Sequence, residues 1–321
     1  MSKSISIVFM GTPEFAVASF EALVKSRHKV IAAITAPDRP ASRGLKLKQS
    51  AVKEYAIRNN IPVLQPEKLR DESFITALKE LNADLFVVVA FRMLPEVIWK
   101  MPKLGTINLH ASLLPQYRGA APINWAVING EKETGATTFF INQVIDNGDI
   151  LLQERVPISE SDDAGSIHDK LMMIGAGLLV KTVNAITDGT IRSKAQESIS
   201  PGSLKLAPKI FREDCRINWN NKALQVHNLI RGLSPYPTAW TEIRNKGGKQ
   251  LTVKILGSHI KSGIQLASGE LRVEDNTHIY IGCIDAALEI IELQLEGKKA
   301  MPAADFLRGF RLREEGWNII N

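Results

Sequence analysis

Asn108 and His110 stand two positions apart at the end of the apolar run 106–110, and Ser112-Leu113-Leu114-Pro115 follow at once. Strand alternation puts both side chains on one face. Thirty-six residues after His110 comes Asp146, within the turn-like stretch Val144-Ile145-Asp146-Asn147-Gly148-Asp149. An imidazole with a carboxylate neighbour is oriented for acid–base work. Amide, imidazole and carboxylate together suit acyl transfer, because the first two can donate hydrogen bonds to an oxyanion. On spacing alone two blander readings stay open. Ser112 to Pro115 could be only a tight exit from a strand, and Asp146 and Asp149 only turn residues beside a glycine.

Such a face needs a sheet beneath it. Residues 5–10 read as a buried strand, and Gly11-Thr12-Pro13-Glu14 then supplies a cap, an early proline and a first-turn acid for a helix to about residue 23. Strands at 30–35 and 84–90 and helices at 51–58, 72–81 and 95–100 continue the alternation up to the strand 106–110. The Asn/His pair therefore falls at a carboxyl strand end, where open parallel sheets place their ligands. Further strands are expected at 136–142 and 150–158. Residues 165–187 carry helical periodicity, with Leu171, Ile174, Leu178, Leu179 and Val183 on one face. The whole is an α/β domain with a mostly parallel sheet.

From 188 to 208 the pattern dissolves into Gly, Ser, Thr and Pro, which predicts a linker at 190–208 between domains at 1–189 and 209–321. Beyond it, a helix at 223–231 precedes short alternating runs at 239–243, 251–256, 278–281 and 288–293. These suggest a small antiparallel OB-like β-barrel, a fold that commonly receives nucleic acid on one face.

Composition narrows the function class. The 321 residues are 45% hydrophobic and 23% charged, enough for two cores. Cys215 and Cys283 show neither CxxC spacing nor a secretory context, so a reducing, cytoplasmic location is expected. No apolar run approaches the ~18 residues of a membrane span. Gly11 has no second or third glycine at GxGxxG spacing, which argues against a dinucleotide, and no phosphate-binding GxxxxGK[ST] is present. The six histidines lack metal-ligand spacing, so no metal is predicted, and His168 reads as structural. A net charge of +6 permits a polyanionic ligand without demanding one. Its distribution says more. Arg39, Arg43, Lys46 and Lys48 face only Asp38 between 37 and 48, and five basic residues stand without an acid between 244 and 261.

The segment INLHASLLPQYRGAAP, 107–122, resembles the folate-dependent formyltransferase family, whose strand carries Asn-x-His followed by Ser-Leu-Leu-Pro. Gly11-Thr12-Pro13, Pro37-Asp38-Arg39-Pro40, Thr134-Gly135, Asp146-Asn147-Gly148-Asp149 and Gly297-Lys298-Lys299-Ala300-Met301 extend the likeness along the chain. The resemblance implies a Rossmann-like formyltransferase domain followed by the barrel. It also implies movement of a formyl group from 10-formyl-tetrahydrofolate to the free α-amino group of methionyl initiator tRNA. Asn108, His110 and Asp146 match the catalytic trio, with Asp146 expected to hold the His110 tautomer. Ser112, Leu113, Leu114 and Pro115 match the folate-binding segment.

The long irregular stretch 36–50 is implied to reach the tRNA acceptor end. Arg43 is then the leading contact, Arg39, Lys46 and Lys48 are phosphate partners, and Lys209 and Arg212 are weaker candidates. A monomer is expected. Three rivals remain: a sugar-nucleotide formyltransferase with the same trio, a formyl-tetrahydrofolate hydrolase, which usually adds an amino-terminal regulatory domain, and a catalytically silent RNA-binding protein. In three places the chain departs from the family pattern: Phe91-Arg92-Met93-Leu94-Pro95 is shorter than usual, Asn147 replaces Thr or Ser, and Tyr236 stands between prolines where a tryptophan is common.

Overall fold

The run SIVFMG buries five of its six residues, as befits a strand covered on both faces. It forms β1 (Ser6–Gly11) in the computed structural model, which describes residues 3–40, 47–196, 204–312 and 315–320. There follow α1 (Glu14–Val24), β2 (Lys29–Ile34), β3 (Arg39–Pro40), β4 (Leu47–Lys48), α2 (Ala51–Arg58), β5 (Val63–Leu64), α3 (Glu72–Glu80) and β6 (Leu85–Val89). Next come α4 (Glu96–Trp99), β7 (Thr106–His110), β8 (Arg118–Gly119), α5 (Pro122–Ile128), β9 (Glu133–Phe140), β10 (Ile150–Pro157), α6 (Ala164–Thr187) and β11 (Leu206–Ala207). The remainder carries α7 (Ala223–Leu233), β12 (Ala239–Arg244), β13 (Gln250–Lys261), β14 (Leu271–Glu274), β15 (His278–Gly282), β16 (Ala287–Leu295), β17 (Met301–Pro302), α8 (Ala303–Gly309) and β18 (Asn318–Ile320). The chain divides into two compact units. One holds Met1–Gly119, Thr134–Val156 and His168–Ala207, and the other holds Ala120–Glu133, Pro157–Ile167 and Pro208–Asn321.

In the first unit the sheet order is β10-β9-β7-β6-β1-β2-β5. β1 pairs in parallel with β2 and β6, β2 with β5, and β6 with β7, while β9 runs antiparallel to β7. This is the expected Rossmann-like arrangement. From β1 the chain moves outward to β2 and β5, then returns to β6 on the other side of β1. In open α/β sheets such a reversal, here between β1 and β6, is where ligands bind at the carboxyl ends of the strands.

Both faces of the sheet are filled. Val8, Met10, Ile34 and Val88 pack with Phe74 and Leu78 of α3. Phe9 stacks on Phe20 of α1 with ring centroids 4.6 Å apart, and Phe20 meets Tyr55 of α2. α6 lies close against β7, since a Cβ on Gly175 would stand 2.9 Å from Leu109 Cδ2. By length and composition α6 is apolar enough to cross a membrane, which corrects the expectation of no such stretch. Lys181 and Thr182 interrupt the run in sequence but not the average along the helix. Leu171, Leu178, Leu179 and Val183 are buried, and Thr182 Oγ1 is hydrogen-bonded to Thr138 Oγ1 at 2.8 Å.

At the opposite edge of this sheet, Asp84 ties the start of β6 to β1. Its Oδ2 accepts from the Ser6 N–H at 2.8 Å and from Ser6 Oγ at 2.7 Å. These bonds, the backbone one first, hold the carboxyl below its ordinary value of 3.8. A depressed acid binds fewer protons folded than unfolded, so its stabilisation is complete above 3.8 and fades as pH falls through the folded value. Asp84→Ala therefore lowers the unfolding midpoint at neutral pH. The gap to the parent protein narrows in melts taken progressively below pH 3.8.

The second unit is an OB-like half-barrel. Its sheet runs β14-β15-β16-β13-β12-β18 with β17 beside β16, and its β12–β13, β13–β16, β14–β15 and β15–β16 pairs are antiparallel. The long β13 shifts register between Ile255 and Ser258, which bends it so that one strand serves both halves of the sheet. Trp219 is fully buried here and donates its Nε1–H to Thr241 Oγ1 at 3.0 Å. Cys215 and Cys283 are both buried and unpaired. Burial, then nearby Asp285, pushes the Cys283 thiol up to about 12, so it is unreactive.

Candidate active site

β7 carries Asn108 and His110 to the carboxyl edge of the sheet, with Asn108 paired to Val88 on one side and Phe139 on the other. Alternation places the two side chains on the same face. Asn108 is half-buried, and its carboxamide has no hydrogen-bond partner among the described residues, which leaves it available to a ligand. His110 is only 7% exposed. Its Nε2 lies 2.9 Å from the Tyr117 carbonyl oxygen. A carbonyl only accepts, so Nε2 carries the hydrogen and the Nδ1 side of the ring faces the site.

Asp146 Oδ2 stands 3.8 Å from His110 Nδ1, close enough to interact by charge but too far for a hydrogen bond. This corrects one expectation. The tautomer is held by the Tyr117 backbone, not by Asp146, because the ring's N–H already points to an acceptor on its other side. Asp146 Oδ2 instead accepts the Gly119 N–H at 3.0 Å. Its own backbone sits in the left-handed region, at φ 50°, a conformation that a non-glycine residue adopts at a cost of about 1 kcal/mol or more.

The segment 117–119 thus grips both side chains, His110 through the Tyr117 carbonyl and Asp146 through the Gly119 N–H. Gly119 has φ 128°, and a Cβ there would stand 2.3 Å from the Ala207 carbonyl oxygen. The close approach arises because β8 pairs in parallel with β11, Arg118 opposite Leu206 and Gly119 opposite Ala207. The Tyr117 N–H also donates to the Lys205 carbonyl at 2.6 Å. Residues 205–207 fall in the stretch expected to link domains, so part of that stretch buttresses the site.

Ser112, Leu113, Leu114 and Pro115 form a braced turn after β7. Ser112 Oγ donates to the Gln116 carbonyl at 2.6 Å, and Thr137 Oγ1 donates to the Ser112 carbonyl at 2.6 Å. The Leu114 N–H reaches Thr137 Oγ1 at 3.1 Å, and Gln153 Nε2 donates to the Leu114 carbonyl at 2.9 Å. Ser112, Leu114 and Pro115 are buried, so their side chains set the turn's shape, while Leu113 is half-buried. Thr137 and Gln153 escaped the sequence reading. Their role is visible only once β9 and β10 lie beside β7.

Two backbone segments at the carboxyl edge remain open. The N–H groups of Phe91, Arg92, Met93 and Leu94 meet no acceptor, nor do those of Asn142 and Gln143, among the described residues. Phe91 and Ile141 pack against one apolar cluster, which brings the two segments to the same edge. Among the described residues buried Arg92 Nε lacks a partner, although the same guanidinium donates to the Pro66 and Glu67 carbonyls. A flat heterocycle with its own donors and acceptors fits such an edge. No group of three or more His, Cys, Asp or Glu side chains suited to a metal occurs among the described residues.

Two of the basic candidates lie side by side. Arg39 faces Lys48 across the β3–β4 ribbon, and both are exposed. Asp38, the one acid between 37 and 48 in the sequence, is engaged by Lys53 Nζ at 2.6 Å. Arg43 and Lys46 lie outside the described residues. Lys209 belongs to the second unit, its Nζ 5.3 Å from the centre of the Phe211 ring.

Comparison with known proteins adds a family to this geometry. Residues 3–183 match the model described as formyl transferase, and 209–311 match that of the formyl transferase C-terminal domain. A methionyl-tRNA formyltransferase of Bacteroides thetaiotaomicron is 51% identical over 97% of this chain and 98% of its own. That of Flavobacterium johnsoniae is 45% identical over 98% of each. Among solved structures, an N-formyltransferase of Helicobacter canadensis, crystallised with folinic acid and dTDP-3-aminofucose, aligns with TM-score 0.61 at 23% identity over 89% of this chain and 98% of its own. HypX of Aquifex aeolicus, crystallised with tetrahydrofolic acid, aligns with TM-score 0.63 at 18% identity over 96% of this chain. This chain covers 48% of HypX. At those identities the likeness speaks for the fold alone.

Proposed function

We infer the reaction from one premise: this chain belongs to the formyl transferase family. It transfers the formyl group of 10-formyl-tetrahydrofolate to the free α-amino group of methionyl initiator tRNA, a step that prepares the tRNA for translation initiation in the cytoplasm. The observation that carries this reading is the near full-length 51% identity to a methionyl-tRNA formyltransferase, together with the His110–Asp146 approach at the sheet edge.

The folate supplies a formyl carbon that an amine can attack. Asn108 then donates its amide N–H to the oxygen on which negative charge builds, and one such donor is typically worth ~3 kcal/mol of barrier. Neutral His110, with its hydrogen fixed on Nε2, offers the Nδ1 lone pair to take the proton that the attacking nitrogen must lose. Nδ1 then returns that proton to the departing nitrogen, so the ring ends as it began. Asp146 lies beside Nδ1 and faces the positive ring while it lasts. Tyr117 keeps the ring from turning. No bond to the protein forms at any stage.

The open backbone groups of 91–94 and 142–143 would hold the pterin, with Ser112, Leu113, Leu114 and Pro115 forming a wall of its pocket. Arg39 and Lys48, with Arg43 and Lys46 of the same stretch, would meet acceptor-end phosphates, and Lys209 would add a contact from the barrel, which spans 209–321. The protein acts as a monomer. A panel of acceptors supplied with 10-formyl-tetrahydrofolate tests the reading: methionyl initiator tRNA, methionyl elongator tRNA and a nucleotide-linked amino sugar. Fast formylation of the initiator species alone is expected. Preferential formylation of the amino sugar would make this a sugar enzyme, and RNA binding without transfer would make it a binding protein.

A further inference from the structure

We propose that Gln196 is a positioning residue for formyl transfer, clamping together the two backbone segments that hold His110 and Asp146. Its side chain is 3% exposed and lies in the stretch whose composition suggested only a linker. Nε2 donates to the Asp146 carbonyl at 2.9 Å and to the Gly148 carbonyl at 2.8 Å. Oε1 accepts from Arg118 Nε at 3.0 Å and from Arg118 Nη2 at 2.6 Å. The orientation of the amide is forced. Two carbonyls can only accept and a guanidinium can only donate, so the NH2 end must face the 146–148 turn and the oxygen must face Arg118.

What distinguishes this amide from an ordinary buried hydrogen-bonding group is where its bonds end. Arg118 sits between Tyr117, whose carbonyl fixes the His110 ring, and Gly119, whose N–H fixes the Asp146 carboxylate. The other end grips the backbone of Asp146 itself, which at φ 50° needs outside bonds to stay in place. A Cβ on Gly148 would lie 1.6 Å from the Phe140 carbonyl oxygen, so the turn is already pressed onto β9 and has little room on that side. Without the two N–H donors, the turn is free to relax away from His110, and the charge-pair geometry goes with it.

This inference rests on the formyl-transfer reading, and its test separates the two. Steady-state transfer to methionyl initiator tRNA is measured for the parent protein, Gln196→Leu, Gln196→Glu, Asp146→Asn and the double variant Gln196→Leu/Asp146→Asn. If the parent transfers nothing, the reaction is wrong and the inference falls with it. If the parent transfers, Gln196→Leu is expected to lower kcat by roughly 10- to 100-fold with KM for either substrate little changed. Gln196→Glu keeps an acceptor for Arg118 but removes both donors, so a similar loss is expected from it. Should the leucine variant fail to fold, the glutamate variant alone decides. In the Asp146→Asn background, Gln196→Leu should cost no more than about twofold, because the group it positions is already gone. The same fold-loss in both backgrounds, or full activity of either single variant, would overturn the inference.

Discussion

His110→Ala lowers kcat for formyl transfer by roughly 10³-fold or more while leaving tRNA affinity near that of the parent. The expectation follows from the ring's position. It is 7% exposed, its Nε2–H is spent on the Tyr117 carbonyl, and only the Nδ1 side can meet the reacting atoms. Removing the ring would thus remove the proposed proton carrier without touching the basic surface proposed to meet RNA. Asn108→Ala, which would take away the proposed oxyanion donor, should lose roughly 10²- to 10³-fold. Rapid-quench turnover paired with filter binding separates the two quantities. A parallel fall in tRNA affinity would mean that these side chains hold substrate and do no chemistry.

Gly119→Ala is expected to be nearly as damaging, although no side chain at that position does chemistry. Its φ of 128° lies where an L-residue is strained, and the new Cβ would stand 2.3 Å from the Ala207 carbonyl oxygen and 2.9 Å from its carbon. Neither atom belongs to a flexible side chain, so β8 and β11 must part. The Gly119 N–H then leaves Asp146, and the Tyr117 carbonyl leaves His110. We expect roughly 10²-fold lower kcat and a stability loss of about 3 kcal/mol, read from denaturant midpoints. Gly177→Ala is the control. That glycine lies exposed in α6 with nothing within 4 Å of a built Cβ, so alanine there should leave activity intact and raise stability by about 0.5–1 kcal/mol. Parent-like activity and stability in Gly119→Ala would mean that the 117–119 segment does not control the site.

Much of this was legible in the chain before any coordinates. Val87-Val88-Val89 belongs to an unbroken apolar strand because both faces of the sheet are covered, and such a run stands out against the helices around it. Asn108 and His110 announce themselves as polar side chains alternating with Ile107 and Leu109 in the neighbouring strand. The parts that eluded sequence reading share a cause. Tyr117 and Gly119 act through backbone atoms, which any residue possesses, and Gln196 acts through one amide in a segment with no periodicity. Only Gly119 left a signal, a glycine following Tyr117-Arg118 just past a braced turn. The strands β3, β4, β8 and β11 have two residues each, too few for alternation to show. α5 was missed although Pro122 opens it at a favoured position, because its seven residues span barely two turns. The His110 tautomer was assigned to the wrong partner for a related reason: a carboxylate can be found in sequence, whereas a carbonyl turned toward a ring cannot.

The most direct test follows a labelled formyl group. The protein is mixed with 10-formyl-tetrahydrofolate carrying label in the formyl carbon, sampled before and after methionyl initiator tRNA is added, and both the chain and the tRNA are assayed for label. Direct attack by the amine at Asn108, His110 and Asp146 predicts an unlabelled protein throughout and label on the methionyl nitrogen after addition. Label attached to the protein before the tRNA arrives, or a methionyl nitrogen that never acquires it, would contradict that chemistry.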